Sequence, residues 1–422
     1  MPGADPQAAR HFAVDVVCAL RRAGYEALWA GGCVRDQLLG LEPKDYDVAT
    51  NATPQQIRAV FGKRKTLAMG AAFGVVVVLG PRRAGQIEVA TFRQDFGYSD
   101  GRRPDRVSFS DARQDAQRRD FTINGLFFDP RSERLIDYVD GERDLRSGLI
   151  RAIGDPHQRF SEDKLRMLRA VRFATVFSFR IDPDTFTAAI QHAEEISLVS
   201  VERITEELRR MLIHPQRRRA VELLQETRLL HQILPEATHT LGSAAGRETL
   251  DILETLDGPT VSVAVAALLR SFIKDESNPQ RGAKICRRWK LSNEETEGVE
   301  FCLLREDLLR NAADIPWPQL QRVLTARRIH ESLMFVEAVA QVVDGSVAQV
   351  DFCRRKLALP KQELDPVPLI SGDDLRAAGV PPGPEYKRLL EEARDRQLTG
   401  DLRTKAAALQ FALRSRSVDS DL

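Results

Sequence analysis

Two aspartates separated by one residue are the feature of the chain with the clearest chemical meaning. Asp45 and Asp47 lie in the segment Lys44-Asp45-Tyr46-Asp47-Val48, whose alternating pattern predicts a strand. Residues i and i+2 of a strand point to the same face, so both carboxylates are expected to project together. Such a pair repels unless a cation lies between its members. Mg²⁺ prefers one or two carboxylates plus substrate phosphates, so the pair predicts a nucleotide-bound Mg²⁺ site.

Further residues near the aspartates fit the same chemistry. Glu88 lies in a second predicted strand, which we expect to run antiparallel beside the first and to bring a third carboxylate to the site. Gly31 and Gly32 precede a predicted helix, and two glycines at such a turn let backbone N–H groups approach a phosphate. Arg35, one turn into that helix, can add a bidentate phosphate contact. Each feature alone is common on protein surfaces, whereas their combination is rare.

A second group of charged residues recurs every three positions within residues 162–173. A helix would place them on one slowly rotating stripe and would place Leu165, Leu168 and Val171 on roughly the opposite face. We therefore predict a helix that packs on one side and presents a row of carboxylate and guanidinium groups on the other. The row consists of Asp163, Arg166, Arg169 and Arg172.

The elements that must position these residues divide the chain into an α+β head and a helical remainder. Beyond residue 155 strand patterns almost vanish, which predicts an elongated all-α neck, body and tail. We expect the polar residues 94–112, rich in Gly, Ser, Asp and Pro, to form a mobile loop. In the head, periodicity predicts a helix over residues 8–23 and strands over residues 27–30, 44–48, 73–79 and 87–92.

Composition places the chain among ordinary globular proteins. The 62 basic and 61 acidic residues nearly cancel, so any polyanion must be bound by local basic clusters such as residues 217–219. The five cysteines are widely spaced and contain no Cys-x-x-Cys pair, which predicts reduced thiols and no disulfide partner. The N-terminus has no leader pattern, and no stretch is apolar enough to span a bilayer. We therefore expect a cytoplasmic protein with no membrane partner.

The segments around the glycines and aspartates carry a family resemblance. Residues 30–36 (Ala-Gly-Gly-Cys-Val-Arg-Asp) and 44–50 (Lys-Asp-Tyr-Asp-Val-Ala-Thr) resemble the head motif of class II tRNA nucleotidyltransferases. That family comprises CCA-adding enzymes and bacterial poly(A) polymerases and has a polymerase-beta-like head. Residues 118–124 resemble its second motif. The resemblance implies that Arg119 binds the nucleotide and that Asp120 and Asn124 help fix its sugar and the local backbone.

The resemblance extends to the charged helix. Residues 162–166 are similar to the family's Glu-Asp-x-x-Arg motif, which implies that Asp163 and Arg166 hydrogen-bond the Watson–Crick edge of the incoming base. A carboxylate accepts from the amino group shared by cytosine and adenine, whereas uracil and guanine offer it a carbonyl. By the same resemblance Arg169 and Arg172 reach phosphate or base. Residues 201–208, also family-like, are expected to support the charged helix.

The resemblance, together with the residues described above, implies addition of CMP and AMP, from CTP and ATP, to the 3′ end of tRNA with release of pyrophosphate. Asp45 and Asp47 would hold two Mg²⁺ ions, one activating the RNA 3′-OH and one stabilising the leaving pyrophosphate. The predicted segments are a catalytic head (1–150), a neck with the base-selecting helix (151–215), a body (216–345) and a tail (346–422). The resemblance implies that the tail grips the acceptor and TψC arms. The alternatives are C-only, A-only or poly(A) addition, a small-molecule nucleotidyltransferase, and a non-catalytic RNA-binding protein.

Overall fold

The computed structural model describes residues 5–67, 74–97, 106–237, 242–274 and 280–419. The chain divides into two compact units, Met1–Leu241 and Gly242–Leu422. Every predicted catalytic and nucleotide-binding residue belongs to the first unit. The finer division into head, neck, body and tail remains a prediction.

A mixed sheet forms the centre of the first unit. Its seven strands, counted among the described residues, run in the order β3-β4-β5-β2-β1-β8-β9. Two further pairs, β6 with β7 and β10 with β11, stand apart from it. The strands are β1 Ala27–Ala30, β2 Asp47–Thr50, β3 Thr66–Leu67, β4 Val75–Leu79, β5 Gln86–Thr91, β6 Arg93–Phe96, β7 Arg106–Phe109, β8 Phe127–Asp129, β9 Arg134–Ile136, β10 Leu149–Ile150 and β11 Arg180–Ile181.

Apolar strands of this sheet are buried, as the apolar sequences of β1 and β4 predict. All four residues of β1 are buried, and so are the three central valines of β4. Helix α1 (Pro6–Arg22) packs against the sheet with its apolar stripe, and the Asp5 carboxylate caps it by accepting from the Gln7 and Ala8 amides. The predicted helix over residues 8–23 and the predicted strand over residues 27–30 are thus confirmed.

Three local predictions for the head were wrong. Asp45 lies in a bend, and β2 begins only at Asp47, so the two aspartates do not share a strand. The strand that carries Glu88 runs parallel to β2, although it does place Glu88 opposite Asp47. The residues expected to form a loop contribute β6 and β7, an antiparallel pair that puts Arg93 opposite Phe109. Residues 98–105 of that segment, and Phe73 of the predicted β4 strand, lie outside the described residues.

Short helices surround the sheet and continue beyond it in the first unit. Helix α7, which carries the arginine row, packs against α9, as predicted for residues 201–208. The helices after α1 are α2 Gly32–Leu38, α3 Pro54–Phe61, α4 Ala112–Gln117, α5 Gly141–Arg146, α6 Pro156–Glu162, α7 Leu165–Val176, α8 Pro183–Gln191, α9 Val201–Leu212, α10 Arg217–Glu226 and α11 Leu229–Ile233.

The start of α7 differs from the prediction. Asp163 ends α6 in an extended conformation, and α7 begins at Leu165, so the carboxylate precedes the helix that holds the three arginines. The arginine row is also less exposed than a surface stripe, because Arg166 and Arg172 are each only 9% exposed. These guanidinium groups are held by acidic partners within the protein.

The described part of the second unit is helical, as predicted for the C-terminal half. A small core lies near the C-terminus, where Leu375, Leu389 and Ala412 are buried together. Across the described ranges, no helix is long and apolar enough to cross a membrane. The helices are α12 Ala244–Thr255, α13 Val261–Lys274, α14 Gln280–Arg288, α15 Asn293–Arg310, α16 Trp317–Leu324, α17 Ile329–Val339, α18 Ala348–Leu357, α19 Lys361–Leu364, α20 Gly372–Ala377, α21 Glu385–Leu398 and α22 Lys405–Asp419.

Candidate active site

The turn from β1 into α2 forms one edge of the candidate site. Gly31 has a φ of 72°, a conformation that favours glycine, and its amide donates to the Leu126 carbonyl at 3.0 Å. A Cβ atom at Gly31 would lie 2.7 Å from Nη1 of Arg119. Glycine is therefore required here both by the backbone and by the close approach of an arginine.

Carboxylates meet at the start of β2. Asp47 is the exposed first residue of the strand, and Glu88 lies opposite it in register. Partial burial in the cleft and the neighbouring charges of Glu88 and Asp45 raise the pKa of Asp47 to about 6, while Arg119 opposes the shift. A cation would relieve this repulsion, and hard oxygen donors suit a divalent metal ion. Among the described residues, however, no group of three or more His, Cys, Asp or Glu side chains is arranged to hold a metal ion.

The second motif forms a turn between α4 and β8. The Asp120 carboxylate accepts from the Phe121 amide at 2.8 Å, from Nδ2 of Asn124 at 2.9 Å, and from Nε and Nη2 of Arg169 at 2.9 and 2.6 Å. Although burial acts in the opposite direction, Arg169 and Asn124 hold the pKa of Asp120 well below its ordinary value. Both carboxylate oxygens are occupied, so Asp120 fixes the arrangement of its neighbours.

Arg119 projects from the same turn toward the glycines. Its Nε and Nη2 atoms donate to Oδ2 of Asp115 at 3.2 and 3.0 Å, and its Nη1 atom donates to the Asn124 carbonyl at 3.2 Å. The guanidinium also lies 5.1 Å from the centre of the Phe127 ring. These contacts hold a positive charge beside Gly31, where a phosphate group could bind.

The Arg35 side chain is more buried than that of an arginine that binds phosphate at the protein surface. Its side chain is 10% exposed, and its Nη1 atom donates to Oδ1 of Asn124 at 2.6 Å. Its Nη2 atom donates to Asp36 at 2.6 Å, and the guanidinium lies 4.6 Å from the Phe177 ring centre. A continuous chain of hydrogen bonds thus joins Arg35 through Asn124 and Asp120 to Arg169.

The turn between α6 and α7 presents the Asp163 carboxylate. Its Oδ1 atom accepts from the Leu165 amide at 3.1 Å, and its Oδ2 atom accepts from Nη2 of Arg203 at 2.9 Å. Arg166, one turn further on, donates to Oε2 of Glu162 at 2.8 Å and to the Arg118 carbonyl at 3.2 Å. Asp163 is therefore held by Arg203 of α9, and Arg166 is held by the carbonyl of Arg118 in the second motif.

The two later arginines of α7 pair with different acids. Arg169 binds Asp120, as described above, whereas Nε of Arg172 donates to Glu207 on α9. Glu207 is almost fully buried, so the Arg172–Glu207 pair fastens α7 to α9 inside the protein. Removing one partner of such a pair would leave an uncompensated charge.

Two clefts bring the predicted site residues together. The first cleft has a volume of about 380 Å³. Asp45 and Arg172 lie instead in a neighbouring cleft of about 940 Å³, which Asp47, Arg210 and His214 also line. Glu88 lines neither cleft and reaches the site only through its position beside Asp47. The predicted residues that line the first cleft are Gly31, Gly32, Arg35, Asp47, Arg119, Asp120, Asn124, Asp163, Arg166 and Arg169.

Sequence reasoning missed several contributors to the first cleft. Arg118 and Phe173 line it, and Arg203 holds the Asp163 carboxylate. Arg118 belongs to a basic pair, and Arg203 belongs to the family-like segment expected to support the charged helix. Neither pattern indicates that Arg118 lines the cleft or that Arg203 binds Asp163. Cys33, between the glycines and Arg35, is no nucleophile, because burial raises the pKa of its thiol to about 12.

Comparison with known proteins agrees with this geometry. Models of the Poly A polymerase head domain, the Probable RNA and SrmB- binding site of polymerase A, and tRNA nucleotidyltransferase domain 2 match residues 27–151, 178–241 and 259–412. The chain is 35% identical to a CCA-adding enzyme of Lactobacillus johnsonii over 94% of this chain and 95% of that protein. It is 36% identical to the enzyme of Lactobacillus gasseri, again over 94% and 95%. A crystal structure of the Bacillus stearothermophilus CCA-adding enzyme in complex with CTP is 30% identical, covers 97% of this chain and 98% of its own, and superimposes with a TM-score of 0.75. The chain therefore belongs to the family of CCA-adding tRNA nucleotidyltransferases.

Proposed function

We propose that this protein adds CMP and AMP, taken from CTP and ATP, to the 3′ end of tRNA and so builds or repairs the CCA terminus. The observation that carries the proposal is the composition of one cleft of about 380 Å³. Asp47, suited to metal-assisted phosphoryl transfer, and Asp163 with Arg166, suited to base selection, line the same space. A nucleotide bound there can have its phosphates and its base recognised at once.

Enzymes of this family require a divalent metal ion, and we propose Mg²⁺ held by Asp45 and Asp47. The residues fit the ion, because their oxygen donors are hard and because burial, together with the charges of Glu88 and Asp45, raises the pKa of Asp47. The small number of carboxylates suits Mg²⁺, which binds one or two of them and completes its coordination with water and substrate phosphates. When bound, such ions polarise the reacting oxygens and balance the charge of the pyrophosphate. Glu88 is proposed as a supporting carboxylate.

The residues around Gly31 are proposed to hold the triphosphate. Gly31 and Gly32 line the cleft, and the missing side chain at Gly31 lets the Arg119 guanidinium lie against the backbone there. Asp120, Asn124 and Arg35 are proposed to act mainly as positioning residues for the nucleotide, because their polar atoms bind one another or the protein. Their network holds Arg119, through the Asn124 carbonyl, and Arg169, through the Asp120 carboxylate, in the lining of the cleft.

Base choice is assigned to Asp163 and Arg166. Each Asp163 oxygen accepts one hydrogen bond from the protein and retains capacity for a second, which the amino group of cytosine or adenine can supply. Arg166 has N–H groups beyond those bound to Glu162, Arg159 and Arg118, and these can donate to base acceptors. We propose that Arg169 and Arg172 act at the edge of this site and align α7 through Asp120 and Glu207.

The tRNA itself is proposed to lie against basic groups outside the nucleotide cleft. The neighbouring cleft beside Asp47 includes Lys44, Arg210 and His214, and we propose that it receives the RNA 3′ end. The body and tail, residues 216–345 and 346–422, are proposed to contact the acceptor and TψC arms through phosphates without reading sequence. Because its substrate is tRNA, we propose that the enzyme acts in the cytoplasm.

The experiment that tests the proposal is nucleotide incorporation on defined RNAs. Each NTP is supplied separately to tRNA lacking CCA, tRNA-C, tRNA-CC and an unrelated RNA. We expect CMP on the first two, AMP on tRNA-CC and no extension of the unrelated RNA. Extension of tRNA-CC by many AMP residues, or AMP addition alone, would replace CCA addition by poly(A) or partial addition.

A further inference from the structure

A pair of histidines lies outside the nucleotide cleft and plays no part in the proposed reaction. His157 is in the first turn of α6, and His192 ends α8. Nδ1 of His157 and Nε2 of His192 are 3.2 Å apart, and the ring centres are 5.3 Å apart. The sequence separates these residues by 35 positions, so the fold has brought the two ring nitrogens together.

Glu195 fixes the orientation of one ring. Nδ1 of His192 lies 2.6 Å from Oε1 of Glu195, and since a carboxylate accepts only, the nitrogen carries the proton. The opposite nitrogen of the neutral His192 ring, Nε2, therefore carries the lone pair of the ring and faces Nδ1 of His157. Lys164, whose Nζ lies 3.6 Å from the other Glu195 oxygen, holds the carboxylate in place.

This arrangement has the form of a metal-ligating histidine with its outer carboxylate. Ligating histidines generally donate their second N–H to a carboxylate or carbonyl, which sets the tautomer and orients the ring. Two nitrogens 3.2 Å apart, each about 2.0–2.1 Å from a shared ion, subtend an angle of about 100° at that ion, near tetrahedral. His157 is exposed, so an ion and its remaining water ligands can approach from solvent.

We propose that His157 and His192 form a binding site for a divalent transition-metal ion of the nitrogen-preferring class, Zn²⁺, Ni²⁺ or Cu²⁺. Imidazole suits these metals, whereas Mg²⁺ prefers oxygen, so the site is chemically distinct from the carboxylates near Asp47. Two protein ligands are fewer than a structural zinc site has, which makes the binding reversible and completed by water. It also requires neutral imidazoles, so acidification weakens it.

The position of the pair gives the ion a structural effect. The ion would join the beginning of α6 to the end of α8, and α6 leads directly into Asp163. Lys164, next to Asp163, contacts both Glu195 and the Ser161 carbonyl, the latter at 2.6 Å. Binding of the metal is therefore expected to slow amide hydrogen exchange in residues 157–165, even without nucleotide or tRNA.

The test uses Ni²⁺ as the probe, titrated calorimetrically into the full-length protein in excess Mg²⁺. We expect wild type to bind one Ni²⁺ ion per chain through histidine nitrogens. His157→Gln and His192→Gln should each lose this binding, and Glu195→Gln should weaken the Ni²⁺ affinity about tenfold or more. His11→Gln, a change of an exposed histidine on α1, is the matched control and should bind as wild type does. Each single variant is compared with wild type by circular dichroism before titration.

Two results of the titrations would overturn the proposal. One is unchanged Ni²⁺ affinity in His157→Gln or His192→Gln, and the other is a loss in His11→Gln as large as in these variants. Unchanged hydrogen exchange in residues 157–165 on Ni²⁺ binding would also count against the site, because the ion would then bind elsewhere. None of these measurements depends on catalysis, so they remain decisive whatever nucleotide the enzyme adds.

Discussion

Replacing Asp163 by alanine is expected to relax nucleotide choice more than it weakens triphosphate binding. The carboxylate is 17% exposed in its side chain and is held by Arg203 and the Leu165 amide, so it meets the base in a fixed orientation. Cytosine and adenine bring an amino donor to it, whereas uracil and guanine bring a carbonyl oxygen. Wild-type enzyme should therefore penalise UMP and GMP through an unpaired, partly buried charge.

The size of that penalty follows from the contacts. An unsatisfied buried acceptor costs about 1–3 kcal/mol, and because Arg203 still compensates part of the charge, about 1–2 kcal/mol is expected here. This corresponds to roughly five- to thirtyfold in discrimination. The alanine variant loses the penalty, so UMP or GMP incorporation should rise by that factor relative to CMP while the total rate falls.

The assay measures relative incorporation of the four NTPs on tRNA-C and tRNA-CC. Arg203→Ala should lose part of the selectivity, because Asp163 then keeps only its bond to the Leu165 amide. Glu206→Ala, which removes an exposed carboxylate from the same helix α9, is the matched control and should stay selective. A slow Asp163→Ala enzyme with wild-type selectivity would refute the reasoning and place base choice elsewhere.

Three further predictions concern the remainder of the site. Glu88→Gln should slow incorporation less than a change of either aspartate, and a wild-type rate would remove Glu88 from the site. Gly31→Ala should raise the KM for both CTP and ATP in steady-state assays, because its Cβ would meet Arg119 at 2.7 Å; an unchanged KM would show that the turn does not hold phosphate. Asp120 has a lowered pKa, so its stabilising effect is complete above its ordinary pKa and is lost as pH falls below it. The Tm difference between wild type and Asp120→Asn should thus shrink between about pH 7 and about pH 3, and a constant difference would contradict the pairing with Arg169.

The sequence was sufficient to predict the head and its main motifs, because their signals are local. Apolar runs predicted β1 and β4, residue spacing predicted that Gly31 and Asp47 belong to one site, and the family resemblance added Arg119 to it. Strand direction is not local, and nothing in residues 86–91 indicates that β5 lies parallel to β2. The sequence did not predict the β6–β7 pair for a related reason. Its polar residues have the composition of a loop, and only their pairing in the structure identifies them as strands.

The partners of the charged residues were equally invisible in the sequence. Asp163 was expected on the helix of the arginine row, yet the chain needs an extended residue there to end α6 and begin α7. The three-residue spacing predicts an exposed stripe, whereas Arg172 and Arg169 pair with Glu207 and Asp120 inside the protein. Periodicity indicates which side chains share a face, but only the packed structure shows which acids neutralise them.

The central claim is that Asp45 and Asp47 support metal-assisted nucleotide addition to tRNA. The most direct measurement is single-turnover incorporation of CMP onto tRNA lacking CCA in Mg²⁺, with tRNA binding determined in the same samples. For Asp47→Ala we expect incorporation to fall to a few per cent of wild type or less while tRNA binding persists, because metal ligation is lost and phosphate contacts are not. Asp15→Ala, an exposed change on α1, should match wild type in both. An Asp47→Ala enzyme that keeps most of its Mg²⁺-dependent activity would contradict the assignment.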